Sequence, residues 1–224
     1  MTAIACSVWT IVSVSAVFIT FKWYLPSLHS KIKEGENNSK THVTKPFQIA
    51  VYLVAIMVAI GCGYRMEVRQ VDWINASKIL LALSVLNIVS ITDVILYKIP
   101  NLCVVILLVG RCLSLIPELI CSDGTFFIGM INSLLAGSVC LLFLLVLSKM
   151  TNGGIGYGDV KLFGALGFLG GVYAVIYTLV LSFFLCAIAS GIFLISGKKG
   201  LRDGLPMGPF IFLGFAATMI LGLG

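Results

Sequence analysis

Residues 160–196 read VKLFGALGFLGGVYAVIYTLVLSFFLCAIASGIFLIS and contain one charged side chain, Lys161. A helix needs roughly 20 apolar residues to cross a bilayer, and this run is about twice as long. Three glycines lie within its first third, where glycine weakens a helix and permits a break: Gly167, Gly170 and Gly171. The run therefore predicts two membrane spans, near 160–171 and 173–195.

The whole chain has the same apolar character. Of its 224 residues, 59% are hydrophobic and only 11% are charged, and the mean hydropathy is +1.10. Because soluble domains carry about 25% charged residues, this composition argues against a soluble enzyme, a nucleic-acid-binding domain and a disordered regulator. The sequence predicts an all-α fold, a polytopic membrane helix bundle with about eight transmembrane helices.

The predicted bundle divides into two parts. The remaining spans are expected at 3–21, 47–63, 74–96, 102–120, 125–148 and 206–223. Residues 1–73 would hold two N-terminal spans joined by a short basic loop, 22–46. Residues 74–224 would form a core of six helices.

Charge placement predicts the orientation of the bundle. Most of the 15 basic residues lie in loop 22–46 and in segments expected on the same side, around 97–101, 149–159 and 197–205. By the positive-inside rule this side is cytoplasmic, with both termini outside. The net charge of +6 then reflects orientation and contact with anionic membrane lipids, and nucleic-acid binding is not needed to explain it.

Metal-ligand patterns are missing from the sequence. It has seven cysteines with no CxxC pair, and its two histidines, His29 and His42, lie in a polar loop without partner ligands. Zinc sites use closely spaced paired ligands, so no metal or other cofactor is predicted. Cysteines within apolar runs are expected to pack as small hydrophobic residues.

Ionisable residues inside spans are costly and are therefore candidates for function. Arg111 lies between Gly110 and Cys112 in the span at 102–120. Its guanidinium group could extend to the membrane surface, pair with a buried carboxylate, or act directly in the function. The sequence leaves these three interpretations open.

The span at 74–96 carries a polar stripe that ends in an acid. Polar residues recur on one helical face: Ser84, Asn87, Ser90, Asp93 and Tyr97. This face is expected to point into the bundle, and Pro100 is expected to end the helix. The alternative for Asp93 is a carboxylate at the level of the lipid headgroups.

A glycine-rich segment precedes the second notable acid. Residues 152–162 read NGGIGYGDVKL, so Asp159 begins an apolar helix after closely spaced glycines that allow close backbone approach. One alternative is that Asp159 is only a helix N-cap, a position that favours Asp. A phosphate loop is a weak alternative, because no strand precedes it and the Lys-Ser/Thr of a P-loop is absent.

The two acids are most informative when they are considered together. Asp93 and Asp159 are both expected near the cytoplasmic ends of their helices and could project into one cavity. Two carboxylates in a partly desolvated site cannot both ionise easily, so they share one proton. One can then act as a base on water and the other as an acid towards a carbonyl group, which is aspartic peptide hydrolysis.

Three motifs, in order, resemble one known family. Residues 156–159 (GYGD) match the GxGD motif of membrane aspartic proteases, and with 160–167 (VKLFGALG) they closely resemble the type IV prepilin peptidase family. Residues 93–101 (DVILYKIPN) resemble its first catalytic segment, and 204–210 (GLPMGPF) resemble its final Pro-x-Gly-Pro-Phe span. The resemblance covers 74–224.

The resemblance implies a specific activity. It implies an aspartic endopeptidase of the bacterial inner membrane that cuts the leader of prepilins or pseudopilins at the cytoplasmic face, after a Gly. Asp93 and Asp159 would be catalytic, and Gly156 and Gly158 would let the substrate backbone approach. The other motif positions would support substrate binding: Tyr157, Lys161, Pro100 and Asn101.

The chain resembles a short form of this family. Fuller members carry a cytoplasmic domain after the first span, often with two CxxC zinc pairs, and they also methylate the new N-terminus. Here that position holds only loop 25–46, without cysteine, so zinc is not expected and methylation stays open. Two other hypotheses are a proton-coupled transporter using Asp93, Asp159 and Arg111, and a non-catalytic subunit of pilus or secretion assembly.

Overall fold

The computed structural model describes residues 15, 22, 45–121, 124, 126–151, 154–196 and 205–223. The predicted span at 3–21 and nearly all of loop 22–46 lie outside the described residues. The described segments form helices, turns and short connections without a β-strand, so the predicted all-α class is confirmed.

Six helices make up the described chain. They are α1 (Lys45–Val68), α2 (Trp73–Leu96), α3 (Asn101–Cys121), α4 (Phe126–Met150), α5 (Tyr157–Ile195) and α6 (Gly208–Leu221). Helices α2 to α5 are long and apolar enough to cross a membrane, and α6 is a shorter apolar helix. The helix bounds lie within a few residues of the predicted spans, while the total of eight stays a prediction.

Helix α5 consists of two halves. At Gly171 the backbone leaves helical geometry, with φ 82° and ψ −176°, a conformation that is essentially restricted to glycine. A Cβ at this position would also lie 2.9 Å from Nδ2 of Asn132. The break predicted from the glycines is therefore confirmed, and it separates residues 157–170 from residues 172–195.

The second half of α5 packs closely on α6. A Cβ on Gly214 would lie 2.9 Å from the backbone nitrogen of Ser182 and 3.0 Å from the carbonyl oxygen of Thr178. One turn further on, the hydroxyl groups of Thr178 and Thr218 are 3.4 Å apart. This contact holds α6 in the interior of the bundle, where its first turn reaches the end of α2.

The end of α2 differs from the prediction. The helix ends at Leu96 because Tyr97 adopts a left-handed conformation, with φ 52°, and its N–H donates to the carbonyl of Asp93 at 2.9 Å. Pro100 therefore does not end α2. It instead precedes α3, where its carbonyl accepts the N–H of Cys103 at 3.0 Å.

The polar stripe of α2 is buried only in part. Asn87 and Asp93 are buried in the bundle, and Ser84 and Ser90 are half-buried. Tyr97 is 59% exposed, so the prediction that it faces the interior is wrong. The reason is the left-handed turn, which rotates Tyr97 away from the helical face that carries Asp93.

Candidate active site

Asp93 lies in the last turn of α2, against the first turn of α6. Its side chain is buried, with only 7% of the residue exposed. The backbone N–H of Gly208 donates a hydrogen bond of 2.7 Å to Oδ2, and the N–H of Met207 also interacts with the carboxylate. A helix N-terminus carries free N–H groups and a partial positive charge, so these two contacts stabilise the ionised form of the carboxylate against the cost of its burial.

Gly208 permits this contact because it has no side chain. A Cβ there would lie 2.9 Å from Cβ of Asp93 and 3.1 Å from the carbonyl oxygen of Val89. Both distances are tighter than ordinary van der Waals contact, so α6 could not begin this close to α2 with a larger residue.

Asp159 lies in the first turn of α5. The N-cap residue is Gly156, so the alternative that Asp159 is itself the N-cap is wrong. Its carboxylate turns back towards Gly156 and interacts with the backbone N–H there. A Cβ on Gly156 would lie 3.0 Å from Oδ2, which explains why a glycine suits this position.

One oxygen of Asp159 is left unsatisfied. Its Oδ1 atom is buried and has no hydrogen-bond partner among the described residues. A buried unpaired oxygen costs free energy, and protonation or contact with a substrate would lower that cost. Asp159 is therefore the member of the pair better suited to carry a proton.

The structure brings the two predicted acids together. The charge of Asp93 acts on the carboxylate of Asp159, so the two groups are near enough to repel each other when both are ionised. They come from the end of α2 and the start of α5. The sequence predicted that the two acids lie near each other. They do so because the end of α2 and the start of α5 lie at the same end of the bundle.

The segment that follows Asp93 also contacts the glycine-rich segment that precedes Asp159. A Cβ on Gly158 would lie 3.1 Å from Cβ of Ile99, so the turn after α2 packs directly on the glycine-rich start of α5. Gly158 thus serves close packing within the protein. Its predicted role of receiving a substrate backbone stays a prediction.

The other predicted supporting residues lie at the same end of the bundle, mostly on its surface. Tyr157 is 59% exposed, Lys161 and Asn101 are exposed, and Pro100 is half-buried. Among the described residues, no hydrogen bond joins their side chains to the carboxylate of Asp93 or Asp159. Their exposure fits a surface on which a bound chain could lie.

Two neighbours of the acids were absent from the predicted site. Gly208 lies in the GLPMGPF segment that the sequence singled out, so that motif was the available signal. The thiol of Cys186 is near enough to Asp159 for an electrostatic interaction. No sequence signal could have found Cys186, because only the return of the second half of α5 brings it there.

Arg111 lies far from both acids. Its guanidinium pairs with Glu118 on the same helix, with N–O distances of 2.6 and 2.8 Å, and Glu118 also pairs with Lys78 at 2.7 Å. Lys78 and Asp93 are on α2, about 22 Å apart along its axis at roughly 1.5 Å per residue. Of the open interpretations, pairing with a carboxylate is confirmed, and a direct relay from Arg111 to the acids is not supported.

Comparison with known proteins adds a family assignment. The sequence pattern of the Type IV leader peptidase family matches residues 80–191, which include Asp93 and Asp159. The Prepilin leader peptidase/N-methyltransferase of Bacillus subtilis (strain 168) is 26% identical over 198 residues, covering 88% of this chain and 75% of that protein. No solved structure matches the chain. Since the family pattern spans half of its 224 residues, the chain belongs to the Type IV leader peptidase family and is a hydrolase.

Proposed function

We propose that the chain is a membrane aspartic endopeptidase that removes the N-terminal leader of type IV prepilins or pseudopilins. The cut would follow a Gly at the cytoplasmic face of the bacterial inner membrane. One observation carries this proposal: Asp93 and Asp159, from separate helices, meet at one end of the bundle closely enough for their charges to interact. The family assignment supplies the substrate class.

The surroundings of the two acids support different roles for them. Asp93 accepts the backbone N–H groups at the start of α6, which stabilise its ionised form. Asp159 has the buried oxygen without a partner among the described residues, and it holds the shared proton. Asp93 is therefore the base and Asp159 the acid in the first step.

The proposed hydrolysis conserves every proton. Asp93 removes a proton from water as the water oxygen attacks the scissile carbonyl carbon, and the proton of Asp159 passes to the carbonyl oxygen. The resulting tetrahedral diol collapses when the protonated Asp93 gives its proton to the leaving amine. Asp159 recovers a proton from a diol hydroxyl group, and the starting state returns.

Incubation of the purified full chain with a prepilin tests the substrate class. The substrate should carry a short basic leader and a Gly immediately before its apolar helix. We expect the intact mass of the product to equal that of the chain cut after this Gly, and we expect a bulky replacement of the Gly to block cleavage. An unprocessed prepilin, with the peptidase folded and substrate in excess, contradicts the proposal.

The pH profile of kcat tests the shared proton. Activity needs one proton on the pair, so the rate should fall on both sides of an optimum and give a bell-shaped curve. The measurement uses saturating substrate, and the unfolding temperature is recorded at each pH as a control for stability. A flat profile over several pH units contradicts a mechanism with one shared proton.

A further inference from the structure

A polar cavity lies at the end of the bundle opposite the two acids. Its volume is about 670 Å³, and the beginnings of α2 and α4, the C-terminal part of α3 and the break in α5 surround it. Its charged and amide lining residues are Asp72, Asn75, Lys78, Arg111, Glu118 and Asn132. A polar cavity of this size between apolar helices has no part in the proposed hydrolysis.

Basic groups outnumber acids at the centre of this cavity. Lys78 and Arg111 both donate to one carboxylate, that of Glu118, so the three side chains carry one net positive charge. The guanidinium of Arg111 also donates to Ser114 at 3.2 Å through the same nitrogen, Nη1, that contacts Glu118. An ammonium has three N–H donors and a guanidinium five, so donors remain for a further acceptor.

The break in α5 brings the start of a second helical segment to the same wall. Gly170 and Gly171 line the cavity without side chains, and the helix of residues 172–195 begins directly after them. The first N–H groups of a helix lack partners within that helix, and they give its N-terminus a partial positive charge. This wall therefore attracts an oxyanion, and phosphate has the right chemistry.

Asp72 is a second acidic residue at the cavity, and it favours a ligand that also carries a positive charge. Asp72 is the N-cap residue of α2, yet among the described residues its side chain makes no cap hydrogen bond. With Asp72, the lining holds two basic and two acidic residues. A ligand with both a phosphate and an ammonium group matches this balance better than a simple anion does.

Aromatic residues place the cavity at the membrane surface. Trp73 is 66% exposed and lines the cavity together with Phe126. Exposed tryptophan next to apolar helices is typical of the level of the lipid headgroups. Beside the cavity, Ile120 and Phe127 are 78% and 66% exposed, so an apolar surface suited to acyl chains adjoins it.

We propose that this cavity binds the headgroup of a zwitterionic phospholipid, phosphatidylethanolamine. Its phosphate would contact Lys78, Arg111 and the N-terminus of residues 172–195, and its ammonium would contact Asp72. Such a lipid would join α2, α3, α4 and α5 at the end of the bundle that lies away from the acids. This inference is independent of the proposed peptidase activity.

Thermal unfolding of the delipidated full chain in detergent tests the proposal. Added phosphatidylethanolamine should raise Tm with saturation, since a ligand that binds the folded state stabilises it. In the Lys78→Gln variant, the half-saturating lipid concentration should rise about tenfold, the effect of losing a charge-assisted contact. Lys149→Gln, at the other end of α4, serves as the matched control and should behave like the wild type.

Separate experiments test whether the bound phosphate belongs to a lipid and whether an ammonium group contacts Asp72. Phosphatidylglycerol lacks an ammonium group and should bind more weakly than phosphatidylethanolamine, and Asp72→Asn should remove this difference. An equal rise with inorganic phosphate alone would support the phosphate site and assign it to a free ion. If Lys78→Gln does not fold, Asn132→Asp takes its place in the test. This variant adds a negative charge beside the expected phosphate and should weaken lipid binding.

Two results would overturn the proposal. The first is a wild-type Tm that phosphatidylethanolamine does not raise beyond the effect of inorganic phosphate. The second is an equal loss of lipid response in Lys78→Gln and Lys149→Gln, which would indicate a general effect of surface charge. Equal binding of both lipids by the wild type would refute the ammonium contact at Asp72.

Discussion

Asp159→Asn is expected to reduce kcat for leader cleavage by about 10²- to 10⁴-fold, the contribution of a positioned general acid or base. The amide cannot supply the shared proton to the scissile carbonyl. Stability should be kept, because the amide is neutral and close in shape to the protonated carboxyl group that Asp159 presents in the proposed mechanism. Cleavage is measured by product mass, and stability by Tm of the purified protein.

Asp93→Asn is expected to cause a loss of similar size. The side-chain oxygen of Asn can still accept the N–H of Gly208, which now donates to Asp93 at 2.7 Å, so the contact between α2 and α6 persists. A neutral amide cannot remove a proton from water, so kcat falls while the fold is retained. Substrate binding, measured separately, should change much less than kcat.

A matched control and a clear contrary result accompany both variants. Glu67 is an exposed acid at the end of α1, and Glu67→Gln should leave cleavage and Tm unchanged. Full processing of the prepilin by both Asn variants would falsify the catalytic assignment. Loss of activity together with loss of folding in both would show that the acids are structural.

Gly208→Ala should weaken both the fold and the reaction. The added methyl group would lie 2.9 Å from Cβ of Asp93 and 3.1 Å from the carbonyl of Val89, so the start of α6 must move away. Overpacking of this kind costs about 1–3 kcal/mol of stability. The shift also lengthens the hydrogen bond to Asp93, and misplacement of a reacting group by about 1 Å can cost 10²-fold in rate.

The two effects of Gly208→Ala can be separated by comparing kcat with Tm. Gly191→Ala is the control, since a Cβ at Gly191 would have no described atom within 4 Å. We expect Gly191→Ala to keep wild-type kcat and Tm. A Gly208→Ala protein with unchanged kcat and Tm would contradict the close contact between α6 and Asp93.

Local sequence predicted the helices well because a bilayer imposes a simple length rule. Each apolar run that the structure describes became a helix within a few residues of its predicted bounds. The break in α5 was also predictable, since its glycines interrupted a run too long for one span. The prediction that Pro100 ends α2 is wrong, because the left-handed Tyr97 ends the helix three residues before the proline.

Of the candidate site, the two acids were predictable, and the GLPMGPF motif indicated the segment that contains Gly208. Asp93 and Asp159 were conspicuous because ionisable groups within apolar helices are costly. The backbone donors at Met207 and Gly208 carry no signature of their own, since every residue except proline has an N–H group. Which N–H meets Asp93 depends on how α6 packs between α2 and α5.

By itself, the sequence determined the all-α class, the position of most helices, the break in α5 and the two acids, because these follow from hydropathy, glycine and charge along the chain. Only the tertiary structure decided which groups meet. It placed the start of α6 on Asp93 and joined Arg111 and Lys78 to Glu118 at the opposite end. The physical reason is that hydrogen bonds and ion pairs act over a few ångströms, so helix packing selects each partner.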